Sequence, residues 1–332
     1  MMACPERSRR AALVAFVVCG SVLAVSAQDP QQRPPVFRTG VETVAIYSTV
    51  LETDGRVVTD LTEKDFQVLD EGKPQKVTNF VAGLQPITAL MLLDTSQSMT
   101  LSMDFARSVA EQFAIRLMPG DQARFGTFNE NFFIDPEFTG NRDILSRSIN
   151  AERHIGNPTR LYDVIDEGRT ELASLGGRRI LLLFTDGEDT WSQKSGFDVF
   201  QRVREDELMV YMVQFPRNGQ PYLEKVPPPS PKEFFRMGTQ VVEGSGHRTP
   251  PASETLKRFA WQTGGGWMFL RWGDDVNGSV TQMLKEMHFQ YVLGFTPQTF
   301  DGKLHDLEVR VARKGLIVRS RRSYRAPEKP AK

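Results

Sequence analysis

At 332 residues, 40% hydrophobic and 25% charged, the chain has apolar material for one large domain with a smaller one attached. Basic and acidic residues number 41 each, so no net field favours nucleic acid or an anionic lipid surface, and neither is expected as a partner. The only two cysteines, Cys4 and Cys19, lie near the start, which excludes disulfides, thiolate metal sites and a cysteine nucleophile from the rest.

Residues 1–27 have the form of a secretory signal peptide. Arg7, Arg9 and Arg10 precede an apolar run over 11–25, and Val25-Ser26-Ala27 offers small residues to a signal peptidase. The run is shorter than the ~20 residues a spanning helix needs, so the mature chain is expected without a membrane span. It is expected to be exported, either periplasmic or secreted. Cleavage would leave 38 basic and 40 acidic residues, still near neutral. Residues 28–35, QDPQQRPP, read as a linker.

Residues 36–84 form an N-terminal β segment: alternating, β-branched stretches at 41–50, 66–70 and 75–80 are separated by Asp54-Gly55 and Glu71-Gly72 turns. From 85 to 290 the pattern becomes strand then helix, repeatedly. Ala89-Leu90-Met91-Leu92-Leu93, the apolar run over 179–184 and the stretch 208–215 read as strands covered on both faces. Helical spacing of apolar residues marks 105–117, 161–175, 197–207, 253–262 and 276–289, and 123–128 with 132–138 reads as a hairpin. The fold class is therefore α/β, a doubly wound, mostly parallel open sheet. Residues 216–252, rich in proline and glycine, read as a long inserted loop. A C-terminal β segment over 291–327 and a short tail, 328–332, complete the chain. The two β segments are expected to join as one small β-rich accessory region built from both chain ends.

The chemistry concentrates where strand 89–93 ends, in Asp94-Thr95-Ser96-Gln97-Ser98. Ligands bind beyond the carboxyl ends of strands in an open parallel sheet. A carboxylate and two hydroxyls at alternate positions can share one side there. Such hard oxygens suit Mg²⁺ or Mn²⁺, with Ca²⁺ suited less well, and not zinc or copper. A serine at a strand end is also a common helix cap, but two further loops repeat the chemistry. Thr185-Asp186-Gly187 caps the second buried strand, and Gly156-Asn157-Pro158-Thr159 puts a hydroxyl at the start of a helix.

This combination resembles the metal-ion-dependent adhesion site of the von Willebrand factor A superfamily, which joins D-x-S-x-S, a threonine loop and a T-D-G loop. The resemblance implies Asp94, Ser96, Ser98, Thr159 and Asp186 as metal ligands, with Asp163 orienting the loop or a bound water. Asn157-Pro158 departs from the glycine more usual before the threonine, which leaves Thr159 the least typical ligand. The flanks, Asp60-Leu61-Thr62 with Asp65-Phe66 and Tyr291-Val292-Leu293-Gly294-Phe295, resemble the acidobacterial VWFA-related family over about 38–327.

The resemblance implies a metal-dependent binding module in which an Asp or Glu of a protein partner completes the coordination. Two alternatives stand beside it: a structural protein in which the metal only staples loops, and a metal-dependent hydrolase. The hydrolase is disfavoured because His154, His247, His288 and His305 are scattered and no G-x-S-x-G or H-E-x-x-H motif occurs. The chain is accordingly not expected to be an enzyme. The inserted loop leaves the same sheet edge as the metal motif and is expected to border it.

Overall fold

Strand and helix alternate through most of the chain because successive apolar runs switch between buried-strand and amphipathic-helix patterns. The computed structural model describes residues 43–217 and 252–328, so the expectations for 1–27, 28–35, most of 216–252 and 329–332 fall outside the described residues. In chain order come β1 (Val44–Leu51), β2 (Phe66–Asp70), β3 (Lys73–Gln75), β4 (Val77–Leu84), β5 (Thr88–Asp94), α1 (Met103–Ala114), β6 (Gln122–Phe128) and β7 (Phe132–Ile134). Then follow α2 (Arg142–Asn150), α3 (Leu161–Ala173), β8 (Arg179–Thr185), α4 (Gly196–Glu205), β9 (Leu208–Gln214), α5 (Ala252–Gln262), β10 (Trp267–Phe269) and α6 (Val276–His288). The last strands are β11 (Phe289–Phe295), β12 (Leu304–Val311), β13 (Ile317–Ser320) and β14 (Ser323–Arg325).

The main sheet has the order β10-β9-β8-β5-β6-β7, parallel except for the β6–β7 hairpin at one edge. Its strands are apolar throughout because both faces are covered. Leu90 and Leu92 point into one core with Leu161, Val164, Val199 and Leu256. Met91 and Leu93, their neighbours in sequence, point into the other with Phe105, Phe113, Val280 and Met283. Gly168 lets α3 settle onto β8, since a Cβ there would lie 2.8 Å from Leu181 Cδ1.

Helix α2 is absent from the sequence expectation. It buries only Leu145 and Ile149, one i,i+4 pair among otherwise polar residues, so its periodicity is weak. Its cap is well formed: the Asn141 side chain accepts hydrogen bonds from Asp143 N at 2.9 Å and Ile144 N at 3.2 Å.

Strands from the two chain ends interleave. One small sheet has the order β13-β1-β11-β4 and the other β14-β12-β2-β3, and residues of both share a core that includes Ile46, Val68, Leu293, Val309 and Tyr324. Tyr291 fixes the segment between β1 and β2, its hydroxyl donating to Val58 O at 3.0 Å and accepting from Leu61 N at 3.1 Å. Helix α6 runs without a break into β11, which ties this region to the main sheet. Arg178, fully buried, donates to the carbonyls of Met287, His288 and Gln85, and burial pushes its guanidinium down to about 10. All described residues belong to one compact unit. No helix among them is long and apolar enough to cross a membrane.

His305 lies buried in the small region between Asp70, 2.9 Å from Nδ1, and Asp301, 3.2 Å from Nε2, with the Tyr324 hydroxyl donating to Asp70 at 3.0 Å. Burial alone would lower its pKa, but the hydrogen bonds and charges of Asp70 and Asp301 outweigh it and raise the value above 6.5. A raised histidine contributes stability that is full below its unfolded pKa and is lost as pH rises through the folded one. Urea unfolding of His305→Gln should therefore show a loss of about 1–3 kcal/mol near pH 6 that shrinks by pH 8.5. An equal loss at both pH values would show that the imidazolium is not what holds this cluster.

Candidate metal site

Asp94 is the last residue of β5, and Asp186 directly follows β8, the neighbouring strand. The parallel pairing of Leu93 with Phe184 brings both carboxylates to the carboxyl edge of the sheet. Both are buried, as are Ser96 and Thr159, while Ser98 is half-buried. Thr185 Oγ1 donates to Asp94 Oδ2 at 2.7 Å, and Ser96 N donates to Asp94 Oδ1 at 2.9 Å. The Ser96 and Ser98 hydroxyls are 3.0 Å apart.

The threonine loop is pinned to the first loop by backbone. Gly156 N donates to Thr95 O at 3.1 Å and Gln97 N to Gly156 O at 2.8 Å, a parallel bridge between residues 96 and 156. The absence of a side chain leaves room there: a Cβ on Gly156 would lie 1.9 Å from Glu130 Oε2 and 2.7 Å from Asn129 Cγ, so both side chains would have to shift. Thr159 N donates to Thr190 Oγ1 at 2.9 Å, and the amides of Thr190 and Trp191 donate to Thr159 O at 3.0 Å. The loop after β8 is thereby fastened to the threonine loop. All five residues of the expected ligand set thus sit on three loops joined to one another by main-chain bonds.

Asp163 faces away from solvent and accepts from Gln193 N at 2.9 Å and Lys194 N at 3.0 Å. Burial would raise its pKa, but these amides and then Arg160 and Lys194 pull it below the usual range. In return, Ser192 Oγ accepts from Tyr162 N at 3.0 Å and Asp163 N at 3.1 Å, capping α3 from another loop. Sequence reasoning missed Ser192, Thr185 and Thr190. Only Thr185 carried a signal, a hydroxyl beside Asp186 at a strand end.

The electrostatics suit a cation. Burial first, and then the nearby charge of Asp186, push Asp94 up to about 7 against the hydrogen bonds from Thr185 and Ser96. Burial also raises Asp186, opposed by the Ser98 hydroxyl and the charge of Arg217, which pairs with Glu188. Asp186 Oδ2 is buried with no hydrogen-bond partner among the described residues. An acceptor stranded beside a second buried carboxylate fits a bound divalent ion. Among the described residues no cluster of three or more His, Cys, Asp or Glu side chains could hold a metal ion, so a cation here would lean on hydroxyls as well as carboxylates. His154 is exposed in a loop, 3.7 Å from Glu130, while His288 and His305 are buried elsewhere against Asp121 and Asp70.

No protein-family model and no curated protein matches the chain. Among solved structures it is similar to an aerotolerance-related membrane protein of Bacteroides fragilis, 13% identical, covering 60% of this chain and 98% of that one with a TM-score of 0.45. It is also similar to BatB of Bacteroides thetaiotaomicron, 14% identical over 60% and 98% of the two chains with a TM-score of 0.44. A third is the proximal thread matrix protein of the mussel byssus with a zinc-occupied MIDAS motif, 13% identical over 66% and 49% with a TM-score of 0.44.

A metal-free chain should feel the carboxylate pair directly. Asp94, raised above its unfolded value of 3.8, contributes stability present below that value and lost as pH rises through about 7. In chelator, the thermal midpoint should fall between pH 5 and pH 8, and Asp94→Asn should flatten the fall, a difference on the order of a few kcal/mol. A second check concerns the loop clamp. Asp163→Ala strands two amides and should cost about 1–3 kcal/mol, read by urea unfolding; a neutral result would remove Asp163 from the loop's support. On its own sheet order and the three loops that converge at its carboxyl edge, the domain is a doubly wound, mostly parallel α/β fold.

Proposed function

We propose that this chain is an exported, non-enzymatic binding module that holds one Mg²⁺ or Mn²⁺ ion and takes an Asp or Glu carboxylate of a protein partner on it. Asp94, Ser96, Ser98, Thr159 and Asp186 would supply the oxygens. The observation that carries the reading is the unpartnered, buried Asp186 Oδ2 beside buried Asp94, two like charges that call for a cation between them. Few charged ligands leave the ion with excess positive charge, and a partner carboxylate answers it with a charge-assisted bond. The signal-like first 27 residues support export, and the flanking motifs support placement in the VWFA-related acidobacterial family.

Mn²⁺ titration followed by electron paramagnetic resonance, on the mature chain, tests the metal. Saturable one-site binding is expected, competed by Mg²⁺ and weakened at least about tenfold in Asp94→Ala and Asp186→Ala, with a smaller loss in Thr159→Ala. Unchanged binding in both aspartate variants would sink the assignment.

A further inference from the structure

Each loop that carries an expected ligand also carries one large apolar side chain turned to solvent. Leu101, three residues past Ser98, is 74% exposed; Ile155, four before Thr159, is 42%; Trp191, five past Asp186, is 51%. A fourth loop, after β10 at the same edge, adds Trp272 at 67%. Trp272 is held in place: it stacks on Phe105 with centroids 4.6 Å apart, and Phe105 meets Phe215 edge-on at 5.7 Å. Trp191 is anchored by its own amide, which donates to Thr159 O. Large apolar groups singly exposed are ordinary on any surface, but here three of them lie within five residues of an expected ligand and the fourth follows a strand that ends at the same sheet edge.

We infer that this rim selects the partner: the group taken at the site is an acidic residue of an extended protein segment, flanked on both sides by apolar or aromatic residues. The inference rests on the metal-dependent reading above and adds the neighbours of the carboxylate to it. A lone carboxylate on a divalent ion gives little discrimination, because acidic side chains are everywhere on protein surfaces. Apolar flanks seated on Trp191 to one side and on Trp272 to the other would exclude water from the coordination bond and strengthen it. Half-exposed tryptophans are well suited to this, since they bury much area while losing little side-chain freedom.

Three synthetic peptides test it with the full mature chain in Mg²⁺: Gly-Phe-Asp-Leu-Gly, Gly-Ser-Asp-Ser-Gly and Gly-Phe-Asn-Leu-Gly, each with a fluorescent tag and read by anisotropy. The first should bind at least about tenfold tighter than the second, equivalent to about 1.4 kcal/mol, and the third should not bind. Trp191→Ser and Trp272→Ser should erase the preference while Mn²⁺ affinity stays unchanged. Equal binding of the two aspartate peptides would overturn the rim's role and leave the carboxylate reading standing. Equal binding of the asparagine peptide, or no binding by metal-loaded protein, would overturn both. Sedimentation showing a dimer that both tryptophan variants dissolve would assign the rim to a second copy instead.

Discussion

Two carboxylates buried side by side at the ends of adjacent strands govern the architecture of the whole edge. Asp94 and Asp186 arrive there because β5 and β8 are parallel neighbours in register, and neither chain direction nor strand order could change without separating them. Each buried uncompensated ion costs several kcal/mol, so the fold tolerates the pair only if protons or a cation neutralise it. Hydrogen bonds from Thr185 and Ser96 relieve part of the cost on Asp94, while one oxygen of Asp186 is left unrelieved.

What surrounds the pair is main chain rather than side chain. The bridge between residues 96 and 156, and the paired amides of Thr190 and Trp191 on Thr159 O, hold three loops as one rigid rim. Asp163 and Ser192 exchange hydrogen bonds between the start of α3 and the loop at 189–194, extending that rigidity outward. Oxygen donors carried on loops tied in this way are held mainly through main chain, the arrangement that favours a preorganised site.

The parts legible in the sequence are those whose physics is local. Runs such as Leu90 to Leu93 announce a strand covered on both faces, and the alternate spacing of Asp94, Ser96 and Ser98 announces a shared direction. The α2 helix was illegible because two buried residues in nine make no periodic signal. The partners of Asp163 were illegible for a different reason: they are backbone amides of Gln193 and Lys194, and an amide looks the same whatever residue bears it. Strand pairing between the two chain ends is likewise a matter of partner choice, and alternation specifies a face, not a partner.

The placement of β11 has a consequence for how the molecule is made. It lies between β1 and β4, pairing Tyr47 with Val292 and Val81 with the same residue from the other side. Strands synthesised first therefore wait for one that emerges about 245 residues after β1 and about 210 after β4, and until then both present open edges. The doubly wound sheet, whose contacts close sooner, can form in the interval and deliver α6 with β11 attached. A chain cut short after α6 would keep its carboxylate-bearing edge but leave two unpaired strands at its beginning, so truncated products would be recognised by their tendency to associate.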